Sequence, residues 1–282
     1  MPSPIVRGLR IAAAVGAVSL FGSADSPSGA NGAAVAESRP VEAWVKRHES
    51  FVERSKKGTV EVLFLGDSIT HRWELEGAKS WAGLPAAWKV AEYGMGGDRT
   101  QHLLWRITAG KELVGIEPKV VVVLIGTNNI GSNSPAEIAA GLKAILAALR
   151  MQKPVSHVLL LGLLPRSGRP VPRDDASAPA ESLHPKIAEI NGRLAKLDDD
   201  AVTFLDIGPK LLDADGGLPS KMMPDYLHLS AEGYAVMGDA IREPVDDLLS
   251  GKPAPKAHAK AAFRRVDAWR GHLMMWVSKA LR

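Results

Sequence analysis

The sequence predicts an α/β fold built on a parallel sheet, and three observations carry that prediction. Short apolar, β-branched runs recur along the chain, and each is separated from the next by a segment long enough for a crossover helix. The strongest run, KVVVVLIG at residues 119–126, has no polar alternation. A strand without alternation has both faces covered, as in a parallel sheet held between layers of helices.

Taken in order, a Gly/Ser/Pro/Ala-rich stretch leads into VEAWVKRHESFVERSKK at residues 41–57, an opening helix. VEVLFLG at 60–66 predicts a first buried strand ended by glycine, and KVAEYG at 89–94 a weaker second one. DRTQHLLWRITAG at 98–110 predicts a short helix with Asp98 as its N-cap and Gly110 as its stop. After the third strand at 119–126, SPAEIAAGLKAILAALR predicts a helix opened by Ser134, with Glu137 at capping-box spacing. SHVLLLGLLP is a fourth strand, HPKIAEINGRLAKLDD a helix, AVTFLDIG a fifth strand and LSAEGYAVMGDAIREPVDDLLS a closing helix.

The 282 residues suffice for one sizeable core, and 46% hydrophobic with 23% charged residues is the balance of a globular chain. With no cysteine, disulfides, a thiol nucleophile and thiolate metal ligands are excluded. Arg7 and Arg10 precede the apolar run IAAAVGAVSLF at 11–21, which is short for a membrane span and is followed by small and polar residues. That pattern predicts a signal peptide and processing region within 1–36, and hence a secreted or periplasmic protein, with an uncleaved membrane anchor as the alternative.

The body then spans 37–251, followed by a basic linker and amphipathic helix at 252–282. The net charge of +4 belongs to this tail, where Lys252, Lys256, Lys260, Arg264, Arg265, Arg270, Lys279 and Arg282 face only Asp267. The body is slightly acidic, so nucleic acid is not an expected partner. In the tail, Phe263, Val266, Trp269, Leu273 and Trp276 fall near one helical face. That face suits docking on the domain or peripheral contact with an anionic membrane.

Parallel α/β sheets gather their ligands at the C-terminal ends of the strands, so residues just past each strand carry the functional argument. These are Asp67 and Ser68 after the first strand, and Gly94, Gly96 and Gly97 after the second. Thr127, Asn128 and Asn129 follow the third, and the loop bearing Arg166, Arg169 and Arg173 follows the fourth. Asp225 and His228 lie beyond the fifth. A serine needs a base, and the base needs an acid to hold its tautomer. In MMPDYLHLS the spacing of Asp225 and His228 lets one tight turn bring the carboxylate to one ring nitrogen while the other faces Ser68. A plain turn ahead of a helix capped by Ser230 fits the same letters.

GTNN at 126–129 offers two asparagines, either of which can donate an amide N–H to developing negative charge or simply form a turn. The glycines of YGMGGD follow a later strand and miss the G-x-G-x-x-G spacing of a dinucleotide fingerprint. Asp213 and Asp215, in DADGG, read as a turn rather than a metal site.

The stretches FLGDSIT, YGMGGDRTQHLLWRI, PKVVVVLIGTNN, LLGLLPR and MMPDYLHLSAEGY run in that order through residues 60–249. Together they resemble the SGNH (GDSL-type) hydrolase superfamily, most of all the branch of acetylhydrolase catalytic subunits and their bacterial esterase relatives. The resemblance implies a three-layer α/β/α, flavodoxin-like fold with about five strands in order 2-1-3-4-5. It implies Ser68 as nucleophile and first oxyanion donor, the backbone of Gly97 as second donor and the side chain of Asn128 as third. His228 is the implied base and Asp225 the acid that orients it, with no cofactor and no metal.

Relatives often carry asparagine where Glu92 stands, which points to altered hydrogen bonding around the oxyanion donors or to a substrate contact at Glu92. Arg166, in the loop after the fourth strand, is a candidate contact for an anionic or polar substrate or else a solvated surface side chain. The expected activity is hydrolysis of short acyl esters, acetyl first, from a small molecule or an acetylated carbohydrate. The alternatives are a lysophospholipase or acetylhydrolase acting on phospholipid-like esters and, from a different class, a non-catalytic carbohydrate- or protein-binding domain.

Overall fold

The computed structural model describes residues 31–167 and 183–252. Residues 1–30 of the leader region expected at 1–36, Arg169 and Arg173, and residues 253–282 of the tail expected at 252–282 lie outside the described residues. Strands β1 (Val62–Gly66), β2 (Val90–Gly94), β3 (Val120–Leu124), β4 (His157–Leu161) and β5 (Val202–Leu205) form one parallel sheet in the order β2-β1-β3-β4-β5. Helices α1 (Glu42–Ser55), α2 (Ser68–His71), α3 (Ala78–Ala82), α4 (Thr100–Ile107), α5 (Pro135–Gln152), α6 (His184–Leu194) and α7 (Ala231–Leu249) cover it.

Strand side chains alternate between two cores, which is why the strands read as continuous apolar runs. Leu63, Leu65, Val121, Val123, Leu160 and Phe204 join Phe51 of α1, Leu103 of α4, Leu142 of α5 and Ile190 of α6. Val62, Phe64, Val122, Leu159 and Leu205 join Ile69 of α2, Trp73, and Tyr234 and Ile241 of α7. Each such side chain contributes about 1.5–3 kcal/mol of burial, so a polar residue on either face of β3 would be costly. The three-layer α/β/α architecture follows from this two-sided burial.

Helix starts separate local from distant chemistry. At α5 the Ser134 hydroxyl accepts from Glu137 N–H, and the Glu137 carboxylate accepts from Ser134 N–H at 2.8 Å, as the sequence predicts. Ser230 caps α7 by accepting from Gly233 N–H at 3.1 Å. The start of α4 corrects the expectation, because Arg99 is its N-cap and the His102 ring accepts from Arg99 N–H at 3.0 Å. Asp98 turns inward instead and accepts from Trp44 Nε1 at 2.8 Å, Arg39 Nη1 at 3.1 Å and Arg106 Nη1 at 3.0 Å. Two cations and an indole outbid a helix terminus for one carboxylate.

Residues ahead of α1 also pack against the helices. The Asn31 amide donates to Glu137 O at 3.0 Å, and the fully buried Ala33 accepts from Thr100 Oγ1 at 2.7 Å. Around β1 the chain runs to β2 on one side and β3 on the other, the switch point at which such sheets open a crevice. Gly66 is level with Gly94 and Leu124, so the first three strand exits stand side by side.

Candidate active site

Ser68 stands two positions after Gly66, the last residue of β1, and is the first residue of α2. The Asp67 side chain caps this short helix by accepting from Ile69 N–H at 2.9 Å. Asp67 is fully buried with its second oxygen unpartnered among the described residues, and burial pushes its carboxyl up to about 7. Ser68 itself is half-buried, with Oγ 3.0 Å from His228 Nε2. His228 Nδ1 lies 2.7 Å from Asp225 Oδ2, while Asp225 Oδ1 accepts from His228 N–H at 2.7 Å and Leu227 N–H at 3.1 Å. Burial opposes the charge of Asp225, but the His228 ring and these N–H groups outweigh it and hold the carboxyl below its ordinary range. Tyr226, between them, takes a left-handed φ of 55° and accepts from Ser167 N–H at 3.0 Å, which ties the turn to the segment after β4.

The glycine stretch after β2 forms a turn closed by Asp98 N–H on Met95 O at 3.1 Å, with φ of +77° at Gly97. A positive φ at the third position of such a turn is what favours glycine there. Gly96 and Gly97 are exposed at its tip. The half-buried Asn128 donates one amide hydrogen to Asp98 O at 2.8 Å, leaving its second available to a ligand. Asn129 is different: it is fully buried, accepts from Thr100 N–H at 2.9 Å and donates to Gln101 Oε1 and Asn133 Oδ1. The structure thereby separates two asparagines that the sequence leaves equivalent.

Glu92 and Arg166, the candidate substrate contacts, both make internal hydrogen bonds. The Glu92 carboxylate is fully buried beneath the glycine turn, where it accepts from Gly94 N–H and from Arg47 Nη2 at 3.0 Å. Arg166 is buried and donates through Nη1 to Thr127 O at 3.2 Å and Thr127 Oγ1 at 3.1 Å, and through Nε to Ser167 O at 3.0 Å. Burial lowers the pKa of its guanidinium against the pull of Asp67 and Asp225. The Asp213 turn also closes on itself, accepting from Asp215 and Gly217 N–H groups. Among the described residues there is no cluster of three or more His, Asp or Glu side chains able to hold a metal ion.

Arg106 escapes sequence reasoning. It is fully buried and donates to Gly66 O, Tyr93 O, Asp98 and Glu112, bolting the ends of β1 and β2 together behind the site. Its only sequence signal is a lone cation within the apolar run LLWRI. Arg39 escapes it too, because its contacts with Gly96 and Asp98 span more than fifty residues of chain.

The GDSL-like Lipase/Acylhydrolase family model matches residues 64–236, which include all of these strand exits. Platelet-activating factor acetylhydrolase IB subunit alpha2 of Gallus gallus is 35% identical over 218 residues, covering 77% of this chain and 90% of the relative. The alpha1 subunit of Homo sapiens is 36% identical, covering 75% and 88%. A solved GDSL-like lipase from Bacteroides thetaiotaomicron shares the fold at 20% identity, with a TM-score of 0.54 over 73% of this chain and 97% of that one. With the sheet order, the serine at the β1 exit and these matches in agreement, the chain belongs to the GDSL-like lipase/acylhydrolase (SGNH hydrolase) family and is a serine-type ester hydrolase.

Proposed function

We propose that the site hydrolyses short-chain acyl esters in two covalent steps, with Ser68 as nucleophile, His228 as general base and Asp225 as the acid that holds it. The observation that carries this reading is the unbroken chain from Ser68 Oγ to His228 Nε2, at 3.0 Å, and from His228 Nδ1 to Asp225 Oδ2, at 2.7 Å. The ionised Asp225 accepts a hydrogen bond from His228 Nδ1–H, so the Nε2 lone pair faces the serine hydroxyl. Ser68 Oγ attacks the ester carbon as its proton passes to Nε2, and the imidazolium that forms is stabilised by Asp225.

The carbonyl oxygen takes up the negative charge, and the donors assigned to it are the N–H groups of Ser68 and Gly97 and the second amide hydrogen of Asn128. A rigid donor of this kind contributes roughly 3 kcal/mol. Collapse of the adduct breaks the ester C–O bond, and His228 Nε2–H protonates the departing alcohol. Water, deprotonated by His228, then attacks the acyl-serine, releases the acid and restores Ser68 with its proton.

For the substrate, the relatives' name supports an acetyl ester of a phospholipid-like molecule, such as platelet-activating factor, ahead of an acetylated carbohydrate. This reverses the order that the sequence alone suggests. Purified wild type and Ser68→Ala are to be compared on a 4-nitrophenyl acetate to octanoate series. The variant should lose activity at least about 10⁴-fold, and equal rates would sink the mechanism. Acetylated phospholipid analogues assayed beside acetylated xylan then rank the two substrate classes, with faster turnover of xylan overturning the lipid reading.

A further inference from the structure

Gly96 and Gly97 share one peptide plane. In a trans peptide the carbonyl of the first residue and the N–H of the second point in opposite directions, so whatever fixes Gly96 O fixes the aim of Gly97 N–H. This is the central peptide of the 95–98 turn, the one that turns over between type I and type II geometry. With glycine on both sides, and open space where a Gly96 side chain would stand, sterics do little to prevent that flip.

Arg39 holds this peptide. Its Nη1 donates to Gly96 O at 2.8 Å and to Asp98 Oδ1 at 3.1 Å, and the guanidinium lies within 3.4 Å of the point where a Gly97 side chain would begin. Its anchor is firm, because Asp98 is also gripped by Trp44 Nε1 and by the buried Arg106. The Arg39 side chain keeps 28% exposure, so it reaches the turn from the outside, from the arm that precedes α1. A cationic donor on Gly96 O also polarises the peptide and strengthens the N–H at its other end.

We infer that Arg39 is a positioning residue for the oxyanion hole, latching the Gly96–Gly97 peptide so that Gly97 N–H faces the reacting carbonyl. The inference rests on the assignment of Gly97 as an oxyanion donor. The latch acts after substrate has bound, because it aligns a donor for charge that exists only in the transition state.

The test compares wild type, Ser68→Ala, Arg39→Ala and Arg39→Lys on 4-nitrophenyl acetate, with thermal unfolding of each and with millimolar methylguanidinium added. Arg39→Ala should lower kcat about 10- to 100-fold with KM within about twofold, Arg39→Lys should fall between, and methylguanidinium should restore part of the lost kcat in the alanine variant alone. Wild-type kcat in a folded Arg39→Ala, with Ser68→Ala inactive, overturns the latch and leaves the esterase reading intact. Loss of kcat that tracks lost thermal stability in both Arg39 variants, without rescue, also overturns it in favour of a scaffold role. An active Ser68→Ala would remove the serine-esterase reading beneath it.

Discussion

Glu92 ends up with its carboxylate beneath the glycine turn, one oxygen on Gly94 N–H and the other on Arg47 Nη2. Burial pushes its carboxyl up to about 8, helped by Glu74 and opposed by Arg47, so below that pH the folded protein favours the neutral acid. Neutral, it offers one donor and one acceptor, as an asparagine side chain would. The unfolded chain ionises Glu92 near 4.5, so the folded state carries the extra proton between that pH and about 8. Its stabilisation is therefore complete below about 4.5 and is lost as pH rises through 8, and Asp67, raised to about 7, acts in the same direction. Thermal unfolding measured from pH 5 to 9 should show a falling Tm, with a visibly flatter slope in Glu92→Gln. An unchanged slope would contradict this assignment. The sequence singles out Glu92 as unusual, but not why it is tolerated, because Arg47 lies 45 residues away and no periodicity connects them.

Elements were legible wherever the signal was local. The continuous apolar runs gave five strands, and the Ser134 to Glu137 spacing gave the start of α5. The start of α4 was misplaced because Asp98 has the letters of a cap but the surroundings of a buried anion, with Arg39 and Arg106 as partners. Asp98→Asn separates the two roles. As a cap, asparagine would serve as well as aspartate. As the acceptor for two arginines, one of them fully buried, the change should destabilise by about 3 kcal/mol or more. Urea unfolding reads the difference, and a cost within a few tenths of a kcal/mol would return Asp98 to the helix terminus.

Across the whole molecule, the positions at the strand exits could be listed from the sequence because a parallel sheet delivers them all to one edge. Their meeting could not, since it depends on contacts such as Ser68 with His228, 160 residues apart. Helix α7 also reaches the first exit, where the Tyr234 hydroxyl donates to Ile69 O at 2.6 Å, next to Ser68. Tyr234→Phe should lower stability by about 1 kcal/mol, a fall in Tm of about 2–4 °C, and should reduce kcat more than it changes KM. A fall in Tm with kcat intact would show that α7 supports the fold without seating the serine. The same bond joins residues 165 positions apart in the chain, which sets an order in time. Synthesis begins at the N-terminus, so Ser68 leaves the ribosome long before its base or the helix that steadies it. Until residues 225–234 follow, the nascent chain carries Ser68 without the base and acid assigned to it, so hydrolysis by that route cannot precede their synthesis.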